Sequence, residues 1–291
     1  MTVAGFTFIR NALIYDYPIV EAIRSILPVC DVVVVAVGKS EDATLELIQS
    51  IDSQKIRIIE TEWDDSLREG GQVLALETDK AFDAIGVAEA DWCFYIQGDE
   101  VLPDNYAETI RKALEKWKND ANTEGVLLKY RHFYGSYDFV AQSRQWYRQE
   151  VRIIKNDKAI RSYRDAQGFR KNGQKLNVRE IDVYMHHYGW VRDPRAQQLK
   201  QLNFNKLWHS DAAILTRVTD VETFDYSEID DLQRFEAAHP VLMQPRIDAL
   251  NWQFSFDPTQ RKLSFKEKMS RIIEHWTGWR FGEYRNFKRI K

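Results

Sequence analysis

The first hundred residues alternate two periodicities, and this alternation limits what the chain can fold into more than any other feature. Short β-branched or apolar runs at 6–9, 32–37, 55–60 and 92–96 are separated by stretches in which apolar residues recur at helical spacing. Ile19, Ala22, Ile23, Ile26 and Leu27 form one such face, with Asp16 as an expected capping acid and Pro18 in the first turn. Thr44, Leu47, Ile48 and Ile51 form a second, with Ser40 as its expected N-cap, and Leu74, Thr78, Ala81, Phe82 and Ile85 form a third. Strands that are apolar throughout, rather than at every second residue, have to be covered on both faces. Four βα units of this kind predict an α/β fold with a mostly parallel, Rossmann-like sheet and helices on both faces. In such sheets ligands gather at the carboxyl ends of the strands.

At those ends the chain carries Arg10-Asn11, then Gly38-Lys39-Ser40-Glu41-Asp42, then Trp63-Asp64-Asp65 with Arg68-Glu69-Gly70-Gly71, and finally Gln97-Gly98-Asp99-Glu100. Polar, acidic and glycine-bearing loops therefore converge on one edge. No P-loop lysine motif and no G-x-G-x-x-G is present, which excludes a Walker-type NTPase and a classical dinucleotide fold. The longest apolar runs, such as Val32 to Val37, fall far short of the roughly 20 residues of a membrane-spanning helix. Cys30 and Cys93 read as buried reduced thiols, and the N-terminus shows no basic, apolar leader, so the expected location is cytoplasmic. The formal charge of −3 divides into +7 on residues 261–291 and −10 on the rest. An acidic body argues against a nucleic-acid partner, whose affinity would rest on a broad basic surface.

These residues resemble the GT-A class of nucleotide-sugar glycosyltransferases, of the inverting type often labelled family 2. The resemblance covers residues 5 to about 210. It is carried by Phe8-Ile9-Arg10-Asn11, by Ser40-Glu41-Asp42-Ala43-Thr44, which is similar to the family's S-x-D-G-T, and by Gly71-x3-Ala75 with its helix. The acidic loop after the fourth strand and a later His187-Tyr188-Gly189-Trp190, similar to the family's metal-contacting histidine segment, complete it. Val37-Gly38 stand where the family has an Asp pair, and Gln97-Gly98-Asp99 keeps only the second carboxylate of the D-x-D. The resemblance implies a GT-A domain at 1–210, with a nucleotide-sugar half at 1–100 and an acceptor half at 101–210, followed by a C-terminal helical extension at 211–291. It also implies a nucleoside-diphosphate sugar, UDP-sugar favoured, held by Phe8, Arg10, Asn11, Glu41, Asp42, Arg68, Gly71, Gln97 and Gly98, with Arg192 and Lys200 on the diphosphate.

Transfer of a glycosyl group leaves a diphosphate behind, and Mn²⁺ or Mg²⁺ stabilises it using few protein ligands. Asp99 is the first candidate ligand; the plainer alternative is that Asp99 and Glu100 cap a helix starting near Asp104. His186 and His187 are adjacent in a strand-like run and point to opposite faces, so one of them faces the site, and the family's His-Tyr selects His187. An inverting transfer also needs a general base, for which Asp165 and Glu150 are the candidates. Their plainer readings are ion pairs, of Asp165 with Arg161 or Arg164 and of Glu150 with Arg148 or Arg152. The aromatic and basic run at 130–152 reads as an acceptor cleft, with Tyr134, Trp146 and Tyr147 as candidate contacts.

In the tail, Trp276, Trp279, Phe281, Tyr284 and Phe287 are interleaved with Arg280, Arg285, Lys288 and Arg289. That pattern suits peripheral contact with the inner face of a membrane and a glycan or lipid-linked acceptor in cell-surface polysaccharide or lipopolysaccharide synthesis; the alternative is plain burial against the body. Rival functions are a catalytically silent carbohydrate-binding protein of the same fold and a nucleotidyltransferase. A glycoside hydrolase would leave the βα order unexplained.

Overall fold

The computed structural model describes residues 1–67, 70–208, 221–227, 229, 231–257, 265–277, 280 and 283–291. Strands β1 (Val3–Ile9), β2 (Val32–Gly38), β3 (Ile56–Thr61) and β4 (Trp92–Tyr95) pair in parallel in the order β3-β2-β1-β4. The two-residue period of a strand sends Val33, Val35, Trp92 and Phe94 into one core and Phe6, Val34, Ala36 and Tyr95 into the other. Helices α1 (Ile19–Ile26) and α2 (Thr44–Gln49) close the first core with Ile19, Ile23 and Ile48, while α3 (Gln72–Asp83) closes the second with Ala81 and Phe82. Helix α4 (Ala107–Trp117) adds Ile110 and Leu114 to the first. The expected α/β fold with helices on both faces is thus the observed one.

The second half of the sheet is mixed. It comprises β5 (Glu100–Val101), β6 (Gly125–Tyr134), β7 (Ser136–Ala141), β8 (Gln149–Lys155) and, after a small separate sheet of β9 (Ile160–Tyr163), β10 (Gly168–Lys171) and β11 (Gln174–Lys175), the long β12 (Asn177–Trp190). β8 joins β4 antiparallel, β6 joins β8 antiparallel, and β12 runs parallel to β6 and antiparallel to β5. The last pairing sets His187 opposite Glu100 and brings the turn after β4 alongside β12.

Three local expectations are corrected. Asp16 does not cap α1: the N-cap is Pro18 with no side-chain bond, and Asp16, at φ +49°, pairs instead with Arg246 at 2.6 Å. Ser40 does not cap α2, which starts at Thr44; Asp42 accepts the Thr44 N–H at 3.0 Å, while Ser40 Oγ is drawn to the N–H of Asn11, also at 3.0 Å. Asp99 and Glu100 cap nothing, because the turn at Asp104–Tyr106 starts behind Pro103.

Helix α5 (Pro194–Lys206) follows β12, with Asp193 accepting the N–H of Arg195. Beyond it the described residues form β13 (Leu232–Arg234), antiparallel to β7, then α6 (Gln244–Asp248), α7 (Phe265–Thr277) and β14 (Lys288–Arg289), parallel to β12. Of the tail aromatics, Trp276 and Tyr284 are exposed and Phe287 is buried; Trp279 and Phe281 lie outside the described residues. No helix among the described residues is long and apolar enough to cross a membrane.

Candidate active site

A cleft of about 430 Å³ opens at the carboxyl edge of the parallel strands. It lies within the size range of small-molecule sites. Its floor is the turn Gln97-Gly98-Asp99, and its walls come from the end of β1 (Phe8, Arg10, Asn11), from β6 and β12 (His132, His187), and from α5 (Lys200).

Asp99 Oδ1 lies 3.6 Å from His187 Nε2. Hydrogen-bond accounting assigns the proton between them to neither. His132 Nε2 is 2.7 Å from the Tyr147 carbonyl, which can only accept, so that nitrogen carries hydrogen. Burial, with the neighbouring His187, holds the His132 pKa well below the ordinary value, so its Nδ1 is a bare acceptor for His187 Nδ1–H at 3.1 Å. Burial also lowers the His187 pKa. Neutral His187 is therefore left with a bare Nε2 lone pair directed at a carboxylate.

Gly189 makes this approach feasible: a Cβ there would lie 2.5 Å from His187 Cε1, 2.7 Å from its Nε2 and 2.9 Å from Asp99 Oδ2. Among the described residues no third histidine, cysteine or carboxylate joins the pair. One oxygen and one imidazole nitrogen fit a hard divalent ion that keeps the rest of its shell for phosphate oxygens and water, and the nitrogen favours Mn²⁺ over Mg²⁺.

Lys200 Nζ takes the other Asp99 oxygen at 2.9 Å and the Gly189 carbonyl at 3.0 Å, leaving one ammonium N–H. Burial opposes ionisation of Asp99, but the charges of Lys200 and Arg192 outweigh it and hold the carboxyl well below the usual range. Burial, followed by the charge of Arg192, lowers Lys200 to about 8 against the pull of Asp99. Arg192 is fully buried behind the cleft, with Nη1 on the Tyr15 carbonyl at 2.7 Å and Nη2 3.9 Å from Asp99. It backs the site electrostatically without lining it. Tyr17, which does line it, has its ring centroid 4.9 Å from the Arg192 guanidinium and 5.0 Å from Lys200 Nζ.

Asp165 also lines the cleft, half-buried, with its pKa raised by burial. It rides on a tight loop in which Arg164 and Ala166 both have positive φ. Gly71, at φ +70°, lets that loop approach: a Cβ would meet Asp165 Cβ at 2.7 Å. Gly71 therefore shapes the wall rather than lining the cleft. Glu150 does not reach the cleft. It is buried behind Gln167, whose amide donates to it at 3.2 Å, and burial raises its pKa to about 8 despite Arg152. Glu100, next to Asp99, is committed to Arg152 at 2.8 Å and to the Tyr130 hydroxyl at 2.7 Å.

At the nucleotide end, Glu41 and Asp42 are also placed outside the cleft. Asp42 Oδ2 accepts the N–H groups of Leu13 and Ile14, and Asn11 Oδ1 accepts that of Glu41, so this pair braces the loop after β1. Arg68 lies outside the described residues. Trp63, not anticipated as a contact, lines the cleft under the Arg10 guanidinium and against Phe8. Its indole nitrogen occupies the place a Cβ at position 38 would need, which is why Gly38 and not a larger residue ends β2. Trp146 and Tyr147 line the cleft; Tyr134 is packed in the core against Trp190.

No protein-family model matches the chain, and no curated protein matches it in sequence. Solved structures align with parts of it. TarS of S. aureus in complex with UDP aligns over 76% of this chain and 68% of its own, at 13% identity and a TM-score of 0.42. The 4-diphosphocytidyl-2C-methyl-D-erythritol synthase of Anaerococcus prevotii aligns over 74% of this chain and 96% of its own, at 10% identity and 0.40. Glucosyl-3-phosphoglycerate synthase of Mycobacterium tuberculosis, with Mn²⁺, UDP and phosphoglyceric acid, aligns over 45% of this chain and 43% of its own, at 17% identity and 0.30.

Proposed function

We propose that the protein is a GT-A-type glycosyltransferase that takes a nucleoside-diphosphate sugar, a UDP-sugar by preference, and passes the sugar with inversion to a glycan or lipid-linked acceptor. The observation that carries this reading is the bare Nε2 of His187 facing the Asp99 carboxylate at 3.6 Å, on the same cleft as Asp165. Asp99 and His187 would hold Mn²⁺ or Mg²⁺. When bound, that ion supplies Lewis-acid stabilisation of the diphosphate leaving group.

The chain's own residues do the rest. The free N–H of Lys200 and the charge of buried Arg192 stabilise negative charge developing on the diphosphate. Phe8, Arg10, Asn11 and Trp63 form the polar and aromatic end that takes the nucleoside, in a cleft without the usual acidic pair after β2. Asp165 receives the proton of the acceptor hydroxyl, and burial, by raising its pKa, makes it a stronger base than an ordinary aspartate. Trp146 and Tyr147 offer faces on which a sugar ring stacks.

Work on cell-surface polysaccharide or lipopolysaccharide at the cytoplasmic face of a membrane accords with the exposed Met269, Ile272, Ile273 and Trp276 on α7. Calorimetric titration with UDP-, GDP- and TDP-sugars in the presence of Mn²⁺ tests the reading. Heat with one family of donors, lost in Asp99→Asn, is expected; no heat with any of them overturns it.

A further inference from the structure

A second cleft, of about 930 Å³, opens where β8 and β7 separate along β6. β8 pairs with β6 up to Lys129, the Tyr130 N–H still reaches the Arg148 carbonyl, and β7 takes over only at Phe133, so Arg131 and His132 are left between them. His132, Trp146 and Tyr147 border both clefts. Seven lysine and arginine side chains line the second one against three glutamates, in a chain whose net charge is −3. Several of these cations are already spent: Arg148 on Glu274 and Glu283, Arg289 on Glu180.

Arg131 differs from them, having no carboxylate partner among the described residues. Its guanidinium lies 4.4 Å from the ring centroid of Tyr184 and 5.5 Å from that of Phe235. One end is fixed by a chain of hydrogen bonds in which every proton is assigned. Arg131 Nη1 donates to His186 Nε2 at 3.3 Å, because a guanidinium has no lone pair to accept with. His186 Nδ1 then donates to the Tyr188 hydroxyl at 3.2 Å, and that hydroxyl donates to His239 Nδ1 at 2.8 Å. His239 Nε2 donates to the Tyr137 carbonyl at 3.0 Å, an end that only accepts, so reading the chain from either terminus gives the same assignment. A guanidinium mounted this way keeps its remaining N–H donors for the cleft, and their planar fork matches carboxylate and phosphate oxygens.

We propose that the second cleft binds an anionic group, phosphate or carboxylate, carried by the acceptor glycan, with Arg131 as its reader. That the bound molecule is the acceptor rests on the transferase reading; that an anion binds here does not. The aromatic faces beside the cations favour a glycan, and the shared wall at Trp146 and Tyr147 places its next sugars beside the donor cleft.

The test titrates the full chain with linear polyphosphate and with polygalacturonate, using dextran as a neutral control and homopolymeric RNA as a rival polyanion. Binding of at least one anionic polymer and none of dextran is expected, weakened about tenfold or more in Arg131→Met, the scale of losing a charge-assisted pair, and less in Arg131→Lys. Binding of polyphosphate alone assigns phosphate, and of polygalacturonate alone carboxylate. UDP titration with Mn²⁺ reports whether each variant keeps its donor cleft. If Arg131→Met loses UDP binding too, Arg234→Gln, an exposed change on the same rim, decides by weakening the anion alone. Unchanged anion affinity in Arg131→Met with UDP binding intact, unchanged affinity in Arg234→Gln where that variant decides, no binding of either polymer by the unaltered chain, or tighter binding of RNA overturns the proposal. Absence of UDP binding in the unaltered chain removes the transferase reading and leaves the anion result to stand on its own.

Discussion

Arg152 grips both carboxylate oxygens of Glu100, with Nη2 2.8 Å from Oε1 and Nε 3.1 Å from Oε2, and neither side chain touches solvent. The third arm of the same guanidinium, Nη1, donates to the Gln167 carbonyl at 3.1 Å. One cation thus ties the turn that carries Asp99 to the loop that carries Asp165. The two carboxylates of the candidate chemistry come from segments 66 residues apart in sequence, and this buried pair fixes their spacing.

Arg152→Met is therefore expected to destabilise the protein by about 3–5 kcal/mol, because it leaves Glu100 charged or forces its protonation in a site closed to water. Urea unfolding measures this, and the double change Arg152→Met with Glu100→Gln should recover much of the loss. Equal midpoints for the single variant and the unaltered chain would mean that Glu100 is not held as described.

Gly189→Ala tests the metal pair through space rather than charge. The added methyl would overlap the His187 ring and crowd Asp99 Oδ2, so the ring has to turn away. UDP affinity of the unaltered chain should drop at least about tenfold when EDTA replaces Mn²⁺, a difference of 1.4 kcal/mol. In Gly189→Ala the two conditions should give the same weak affinity. A retained EDTA effect would move the metal away from His187.

Asp165→Asn should lower kcat by about 10²–10⁴, the usual worth of a positioned base, while UDP affinity stays within about twofold. Burial raises the Asp165 pKa. A base must be deprotonated to act, so the rate should fall as pH drops through that value, with its acidic limb above the ordinary aspartate range near 3.9. An unimpaired variant removes Asp165 from the chemistry.

Much of this was readable in the chain because β1 to β4 are apolar on both sides, a pattern that permits little but a covered parallel sheet. Asp99 was visible because it follows directly on such a run. Trp63 was not: its position is set by contact with Gly38, 25 residues earlier, and a lone tryptophan after a strand does not announce that partner. His132 was equally hidden, since its role comes from the β6–β12 register that sets it opposite His187. Ser40 misled for the converse reason: its local fitness as a cap lost to a tertiary hydrogen bond with Asn11. Glu150 and Arg152 share one face of β8, which in sequence reads as an ion pair and in the fold is the interior.

That interior position gives Glu150 a signature of its own. Its carboxyl is raised from about 4.5 to about 8, chiefly by burial, and Oε2 has no hydrogen-bond partner among the described residues. Between those two pH values the folded chain keeps a proton that the unfolded chain has released. Since stability rises with pH only where the unfolded state binds more protons, here it falls as pH climbs from about 4.5 and levels off above about 8. Glu150→Gln has nothing to titrate at this position. Its melting temperature should therefore gain on that of the unaltered chain between pH 5 and pH 8.5, by several degrees at the upper end, while titrations elsewhere cancel in the difference. A gap independent of pH would mean that Glu150 is ionised in the fold, as a partner of Arg152 rather than a buried neutral acid behind Gln167.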